Sequence, residues 1–362
     1  MIKITFISTL AYNYFFPGAV RQAGGHTRFY NLTRKFAALS DYDVTCVVGD
    51  FGQPDVVVKE NVRLVKAPID RPMSFFKVYN RLKNLNTDIY IDFCASPRLF
   101  LLNLLKKRTG SKYIFLVGSD NDINGKYHED INYIFFYAYL YGLKRADAII
   151  SQVPDQLELL KKKYGLQSEL ILSPYFDICP KEQKETKDLI LWVGRSAYYK
   201  NPDEFVDLAE KFPEQKFVMI CNNSKYDHGF VKSIEKRLEN ISNLRFIDYV
   251  PYPEMTEYYE KTKLLVNTSI FEGFPNTFIE SAMHSTPILS LNVDPNGILS
   301  EYKGGICCKG NKEFFIRSFD EFMNDKKKLH DYGNNAFKYA EKNHQLNDAV
   351  EKINSVIEKI MS

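Results

Sequence analysis

Short β-rich runs recur along this chain with helical stretches between them, and that alternation restricts the fold more than any other feature. In the first half the runs are residues 3–8, 44–49, 62–66, 89–93, 113–118, 148–151 and 170–172. Residues 189–193, 217–221 and 244–247 continue the series. Strands that alternate with helices build mainly parallel sheets with right-handed crossovers. At 362 residues the chain is longer than one hydrophobic core usually serves, so two such sheets are expected. Pro174, Pro180 and the charged run Lys181-Glu182-Gln183-Lys184-Glu185 interrupt the pattern and form the best linker. The expected division is 1–175, a linker at 176–188, a second domain at 189–340, and a closing helix at 341–362.

Within the second half, residues 264–291 carry the densest chemistry. Leu264-Leu265-Val266 is an apolar run suited to a buried strand, and the loop Phe271-Glu272-Gly273-Phe274-Pro275-Asn276 follows. Helical patterning begins at Asn276, read as the N-cap, and places Glu280 one to two turns in. Pro287 opens another apolar run, 288–291. Strand, loop, helix, strand puts Glu272 beyond a strand's carboxyl end, the edge where open α/β sheets bind ligands. The upstream segment 189–202 repeats the layout. A strand leads into Gly194-Arg195, Lys200 follows five residues after Arg195, and Pro202 starts a helix. Arg presents a fork to phosphate oxygens and Lys a point charge, so this is a second candidate anion site.

Two glutamates with seven residues between them, inside S-x-x-E-G-F-P-N-x-x-x-E, resemble the E-x7-E signature of family 4 retaining glycosyltransferases. Two lone glutamates at this spacing would say little; the whole string from Ser269 to Pro287 is specific. The resemblance covers nearly the whole chain, most strongly 189–297 and more weakly 50–110. It implies the GT-B fold, two Rossmann-like domains facing a cleft, with the closing helix crossing back to the first domain. Glu280 would then hold the donor ribose. Glu272 with Gly273, Phe274, Asn276 and Thr277 would hold sugar and diphosphate, and Arg195 and Lys200 would neutralise the leaving diphosphate. Gly25, after Gly24 and before a helical stretch at 27–39, would face the diphosphate from the first domain. Ser285 stands where relatives often have glycine.

One departure concerns the first domain. Many relatives place a histidine before the glycine equivalent to Gly118, and this chain has Val117. Asp120 and Asp122, in the loop Gly118-Ser119-Asp120-Asn121-Asp122, are the site candidates there, with Asp120 taken as catalytic; the alternative is an Asx-rich turn. No metal and no cofactor are expected, since Arg195, Lys200, Gly25 and the amides near Thr277 could stabilise the leaving group. The implied function is transfer of a sugar from a UDP- or GDP-sugar to a saccharide or lipid-linked acceptor in cell-surface glycan synthesis. The alternatives are a catalytically silent nucleotide-sugar-binding protein and a nucleotide-sugar epimerase of similar fold.

Charge and cysteine usage add context. Lys and Arg total 48 against 45 Asp and Glu, and residues 1–180 hold 23 against 17 while the remainder holds 25 against 28. Lys3, Arg21, Arg28, Arg34 and Lys35 stand in the first 40 residues without an acid. They read either as a solvated helix face or as a surface for anionic lipid or a phosphorylated acceptor. Six scattered cysteines without a C-x-x-C pair point to a reducing cytoplasm. The expected location is the cytoplasm, with peripheral contact at the inner face of a membrane by charge, and no nucleic-acid partner is expected. Residues 132–145, apolar on nearly every side, read as a core helix; a membrane-surface helix is the alternative.

Overall fold

The computed structural model describes residues 1–17, 26–69, 74–173, 176–178, 187–222, 236–238 and 241–362. Two compact units divide the chain: Met1–Asp177 with Gln345–Ser362, and Ile178–His344.

The first unit contains β1 (Ile2–Ile7), α1 (Tyr12–Phe15), α2 (Thr27–Ala37), β2 (Tyr42–Val48), β3 (Val56–Lys59), β4 (Val62–Lys66), α3 (Phe75–Lys83) and β5 (Ile89–Phe93). It continues with α4 (Arg98–Thr109), β6 (Lys112–Leu116), α5 (Asp120–Ile123), α6 (Tyr127–Asp130), α7 (Tyr133–Leu143), β7 (Ala148–Ser151), α8 (Pro154–Tyr164) and β8 (Glu169–Leu170). The strand order is β3-β4-β2-β1-β5-β6-β7-β8. Every pairing is parallel except β3 with β4, a hairpin turned through Glu60 and Asn61, both at positive φ. Two left-handed turn residues match the twist of the flanking strands.

The second unit contains β9 (Leu189–Arg195), α9 (Asp203–Lys211), β10 (Lys216–Asn222), β11 (Leu244–Ile247), α10 (Met255–Lys261) and β12 (Thr262–Asn267). Then come α11 (Asn276–Ala282), β13 (Ile288–Ser290), β14 (Gly305–Cys307), α12 (Lys312–Asn324) and α13 (Lys326–Asn343). Its sheet runs β11-β10-β9-β12-β13-β14, all parallel. One core joins Ile190, Trp192, Met219, Leu264 and Val266 of the sheet to Phe205, Phe315 and Phe319 of the helices.

Alternation along the central strands of the first unit supplies two cores. Ile4 and Phe6 face Phe29, Leu32 and Phe36 of α2, whose i, i+3, i+7 spacing forms one stripe. The same core receives Leu346, Val350, Ile353 and Ile357 of α14 (Leu346–Met361). Ile7, Tyr90 and Phe115 face the other way, toward Leu82, Leu102, Tyr139 and Leu143.

Two sequence readings change. The helix at 132–145 was expected to be a core helix, but α7 buries only Tyr139, Gly142 and Leu143. That face seats closely on α4, since a Cβ on Gly142 would lie 2.4 Å from the Leu99 carbonyl carbon. A helix in the outer layer covers a sheet with one face only, and Tyr133 (62%), Ile134 (75%) and Tyr137 (64%) stay exposed. Asn276 was expected as an N-cap; Pro275 occupies that position and Asn276 is the first helical residue. Among the described residues no helix is long and apolar enough to cross a membrane.

Candidate active site

In the second unit the expected residues gather where β9 and β12 end. Arg195 closes β9, and a single 3-10 turn, Tyr198–Lys200, follows. Asn267 closes β12. The two loops are bound to each other. The Ile270 amide donates to the Tyr199 carbonyl at 2.7 Å, and Thr268 Oγ1 donates to the Lys200 carbonyl at 2.8 Å while accepting from Trp192 Nε1 at 2.9 Å. Tyr199 and Phe271 stack with centroids 5.3 Å apart.

This frame brings together two charges that lie 72 residues apart. Lys200 Nζ donates to Glu272 Oε1 at 2.6 Å, and both side chains are mostly buried, at 15% and 13% exposure. Ser269 Oγ donates to the same oxygen at 2.7 Å and Asn267 Nδ2 reaches it at 3.3 Å. Three donors on one oxygen fix the carboxylate in the loop. Arg195 is exposed and donates from Nη2 to the Tyr199 hydroxyl at 2.7 Å. Gly273 is exposed, and a Cβ added there would meet nothing within 4 Å. Neither packing nor left-handed backbone requires glycine at 273, so its bareness leaves room for an external group. The Phe274 ring instead turns to His344, 4.8 Å away.

Glu280 is partly buried on α11, and Thr277 lies one turn before it. Tyr259 of α10 donates to Glu280 Oε2 at 2.7 Å. Burial pushes the Glu280 carboxyl up to about 7, against the Tyr259 hydrogen bond, which lowers it. At the other end of α11, Lys187 Nζ donates to the His284 carbonyl and, at 2.9 Å, to Thr286 Oγ1. Burial lowers the Lys187 ammonium to about 8.

The first unit places its candidates differently. Asp120 begins α5, is exposed, and accepts from Gln156 Nε2 at 3.0 Å. Asp122 is buried and accepts from the Gly118 and Ser119 amides at 2.6 and 3.0 Å, completing a capping box. The pair therefore forms an Asx-type turn in which Asp122 holds the loop, and only Asp120 is open to a ligand. Val117 is fully buried. A histidine does stand at this sheet's carboxyl edge, however. His26 Nδ1 lies 2.8 Å from Ser8 Oγ, and its ring meets Phe93 edge-on at 5.3 Å. Burial, then Arg28 and Arg98, lower it to about 4, so it is neutral. Sequence reasoning passed over His26, whose one signal is its place directly after Gly24-Gly25. Gly25 itself lies outside the described residues. Of the basic N-terminal residues, Arg28 is buried against the Phe93 ring at 4.3 Å, while Arg34 is exposed and pairs with Glu60. No group of three or more metal-ligating side chains occurs among the described residues.

Comparison with known proteins fits this geometry. Residues 176–339 match the family model described as glycosyl transferases group 1. The chain is 22% identical over 140 residues to glycosyltransferase 1 domain-containing protein 1 of Xenopus tropicalis, a match spanning 39% of this chain and 40% of that protein. Among solved structures, sucrose-phosphate synthase from Thermosynechococcus elongatus superposes with a TM-score of 0.76 at 15% identity, covering 100% of this chain and 99% of that one. HepE of Anabaena, solved with UDP-glucose, gives 0.72 at 12% identity, covering 99% and 100%. At such identities the likeness establishes the fold, which is GT-B.

Proposed function

We propose that this chain is a retaining glycosyltransferase of family 4 that moves a sugar from a nucleotide-diphosphate donor to a saccharide or lipid-linked acceptor in cell-surface glycan synthesis. The observation that carries the reading is the Lys200–Glu272 pair beside an open Gly273, inside the segment that matches the group 1 model. The UDP-glucose complex of HepE supports a UDP-sugar as the first donor to test, with GDP-sugars next.

In this reading the donor diphosphate gains negative charge as the glycosidic bond breaks. Arg195 and Lys200 meet that charge, and groups aimed at developing charge act most strongly in the transition state. Lys200 has three N–H donors, so it can keep Glu272 and still reach a phosphate. Glu272, held by Ser269 and Asn267, positions the sugar rather than attacking it. The leaving phosphate takes the acceptor proton on the same face, which gives retention. Glu280 accepts ribose hydroxyls while Tyr259 fixes its second oxygen. Positive side chains and amides supply the charge, so neither metal nor cofactor is invoked. Asp120 remains the acceptor-side candidate, and we place the protein in the cytoplasm, at the inner face of an anionic membrane.

Val117 in place of the usual histidine favours one rival, a silent nucleotide-sugar-binding protein. A panel of UDP-, GDP- and other sugar donors, scored by calorimetric binding and slow donor hydrolysis, decides. Binding with turnover supports transfer, binding without turnover for any donor and acceptor supports the rival, and no binding removes both.

A further inference from the structure

The exposed face of α7 is unusual for an outer-layer helix. Tyr133, Ile134, Tyr137 and Tyr141 recur at i, i+1, i+4 and i+8, so they form one outward stripe. Water-facing helix surfaces normally carry charge, and residues 132–143 hold none. The stripe extends sideways through rings. Tyr141 lies 5.6 Å from Phe100 of α4, Phe100 lies 6.1 Å from Phe75 of α3, and the neighbouring Phe76 is 79% exposed.

Cations collect at one end of this surface. Lys144 and Arg145 follow α7 three turns after Tyr133 and Ile134 on the same face, and Lys107 and Arg108 end α4 beside them. Arg145 stacks over the Tyr141 ring at 3.7 Å, and Lys107 Nζ lies 6.0 Å from its centroid. No carboxylate occurs from 98 to 119 or from 132 to 146. Of the flanking carboxylates, Asp147 is taken by Lys106 at 2.7 Å and Lys112 at 3.7 Å, and Glu129 and Asp130 precede α7 at the end opposite the cations. Lys107, Arg108, Lys144 and Arg145 are exposed.

We propose that this face of α7, with the adjoining ends of α3 and α4, docks on an anionic lipid surface. Tyrosines suit the headgroup zone, where the ring is buried and the hydroxyl stays wet. Apolar side chains pushed a short way into the bilayer and basic groups among lipid phosphates reinforce each other. The body of the unit supplies the polar side that a free amphipathic helix carries itself. Of the basic N-terminal residues, Arg28 is buried and Arg34 pairs with Glu60, whereas the four cations at this face are exposed. The proposal names the surface behind the membrane contact suggested above but does not depend on sugar transfer, because its assay needs no donor.

Flotation of the full chain with vesicles of phosphatidylcholine, alone or mixed with phosphatidylglycerol, tests it. Wild type is expected to float with the anionic vesicles, less in high salt, and to stay behind with neutral ones. Tyr133→Ser/Ile134→Ser/Tyr137→Ser changes only exposed positions and should weaken binding at least about tenfold. Lys107→Ala and Lys144→Ala should each weaken it roughly fivefold. Circular dichroism confirms that the variants are folded. Absent wild-type binding, equal binding to both vesicle types, or variants that bind like wild type would each overturn the proposal. So would a wild-type dimer that dissociates in the triple variant without vesicle binding, which would assign the face to a second copy of the chain.

Discussion

Glu280 offers a test that reads folding and ligand binding through one proton. Its carboxyl titrates at about 7 in the folded protein against an ordinary value of 4.5, because burial disfavours the anion. Each unit of displacement is worth about 1.4 kcal/mol, so ionising it in the fold costs about 3 kcal/mol. Partial solvent access reduces that to about 1–3 kcal/mol. Between 4.5 and about 7 the folded chain holds this proton and the unfolded chain has lost it. The folded state therefore binds more protons in that window, and the stability contributed falls as pH rises through it. Glu280→Gln keeps an acceptor for Tyr259 and cannot ionise. Thermal unfolding of wild type and Glu280→Gln across this window should give curves that converge at its acid end. At its alkaline end the Gln protein should be more stable by several degrees, at about 2–4 °C per kcal/mol. Parallel curves would refute the burial argument. Calorimetry with UDP adds the second reading. If the carboxylate accepts ribose hydroxyls, affinity rises more steeply with pH through about 7 in wild type than in Glu280→Gln, where only the UDP phosphate titrates.

Arg195→Ala should lower kcat by about 10²–10³ with a smaller change in donor KM, and Arg195→Lys should rescue only in part. Steady-state kinetics check this, Lys200→Ala should be less than additive with it, and near-wild-type kcat would remove Arg195 from the mechanism. Gly305→Ala should destabilise by about 3 kcal/mol, because its Cβ would sit 1.9 Å from the Ile288 carbonyl oxygen in the neighbouring strand; an unchanged urea midpoint would contradict that contact. Ser285 holds φ +49° where α11 ends, with the Thr286 amide donating to the Ser281 carbonyl at 3.2 Å. Ser285→Gly should raise stability by about 0.5–1 kcal/mol, read as a higher Tm, since glycine enters that region without a Cβ penalty.

Legibility in the sequence followed the range of the forces involved. The central strands announce themselves because both faces are buried, and β5 and β7 fall where apolar runs place them. The hairpin strand β3 was missed: Val56 and Val58 lie exposed at the sheet edge, and Glu60-Asn61 lacks the usual glycine of a two-residue turn. Strand-loop-helix patterning put Glu272 and Lys200 each at a strand's end. Nothing local says that they touch, because a separation of 72 positions is closed by the parallel pairing of β9 with β12. Tyr259, 21 residues before Glu280, is invisible for the same reason. The α7 face misled because an all-apolar helix carries no mark of which side the protein covers.

The closing helix α14 has a consequence for biosynthesis. The first unit needs Leu346, Val350, Ile353 and Ile357 to cover Phe29, Leu32 and Phe36, yet these arrive after the whole second unit has been translated. The first-made half of the polypeptide thus leaves the ribosome with one of its two cores incomplete. The later-made unit, contiguous in sequence, can close without waiting. Folding order should then invert synthesis order, and chains stalled before codon 346 should be the species that chaperones retain.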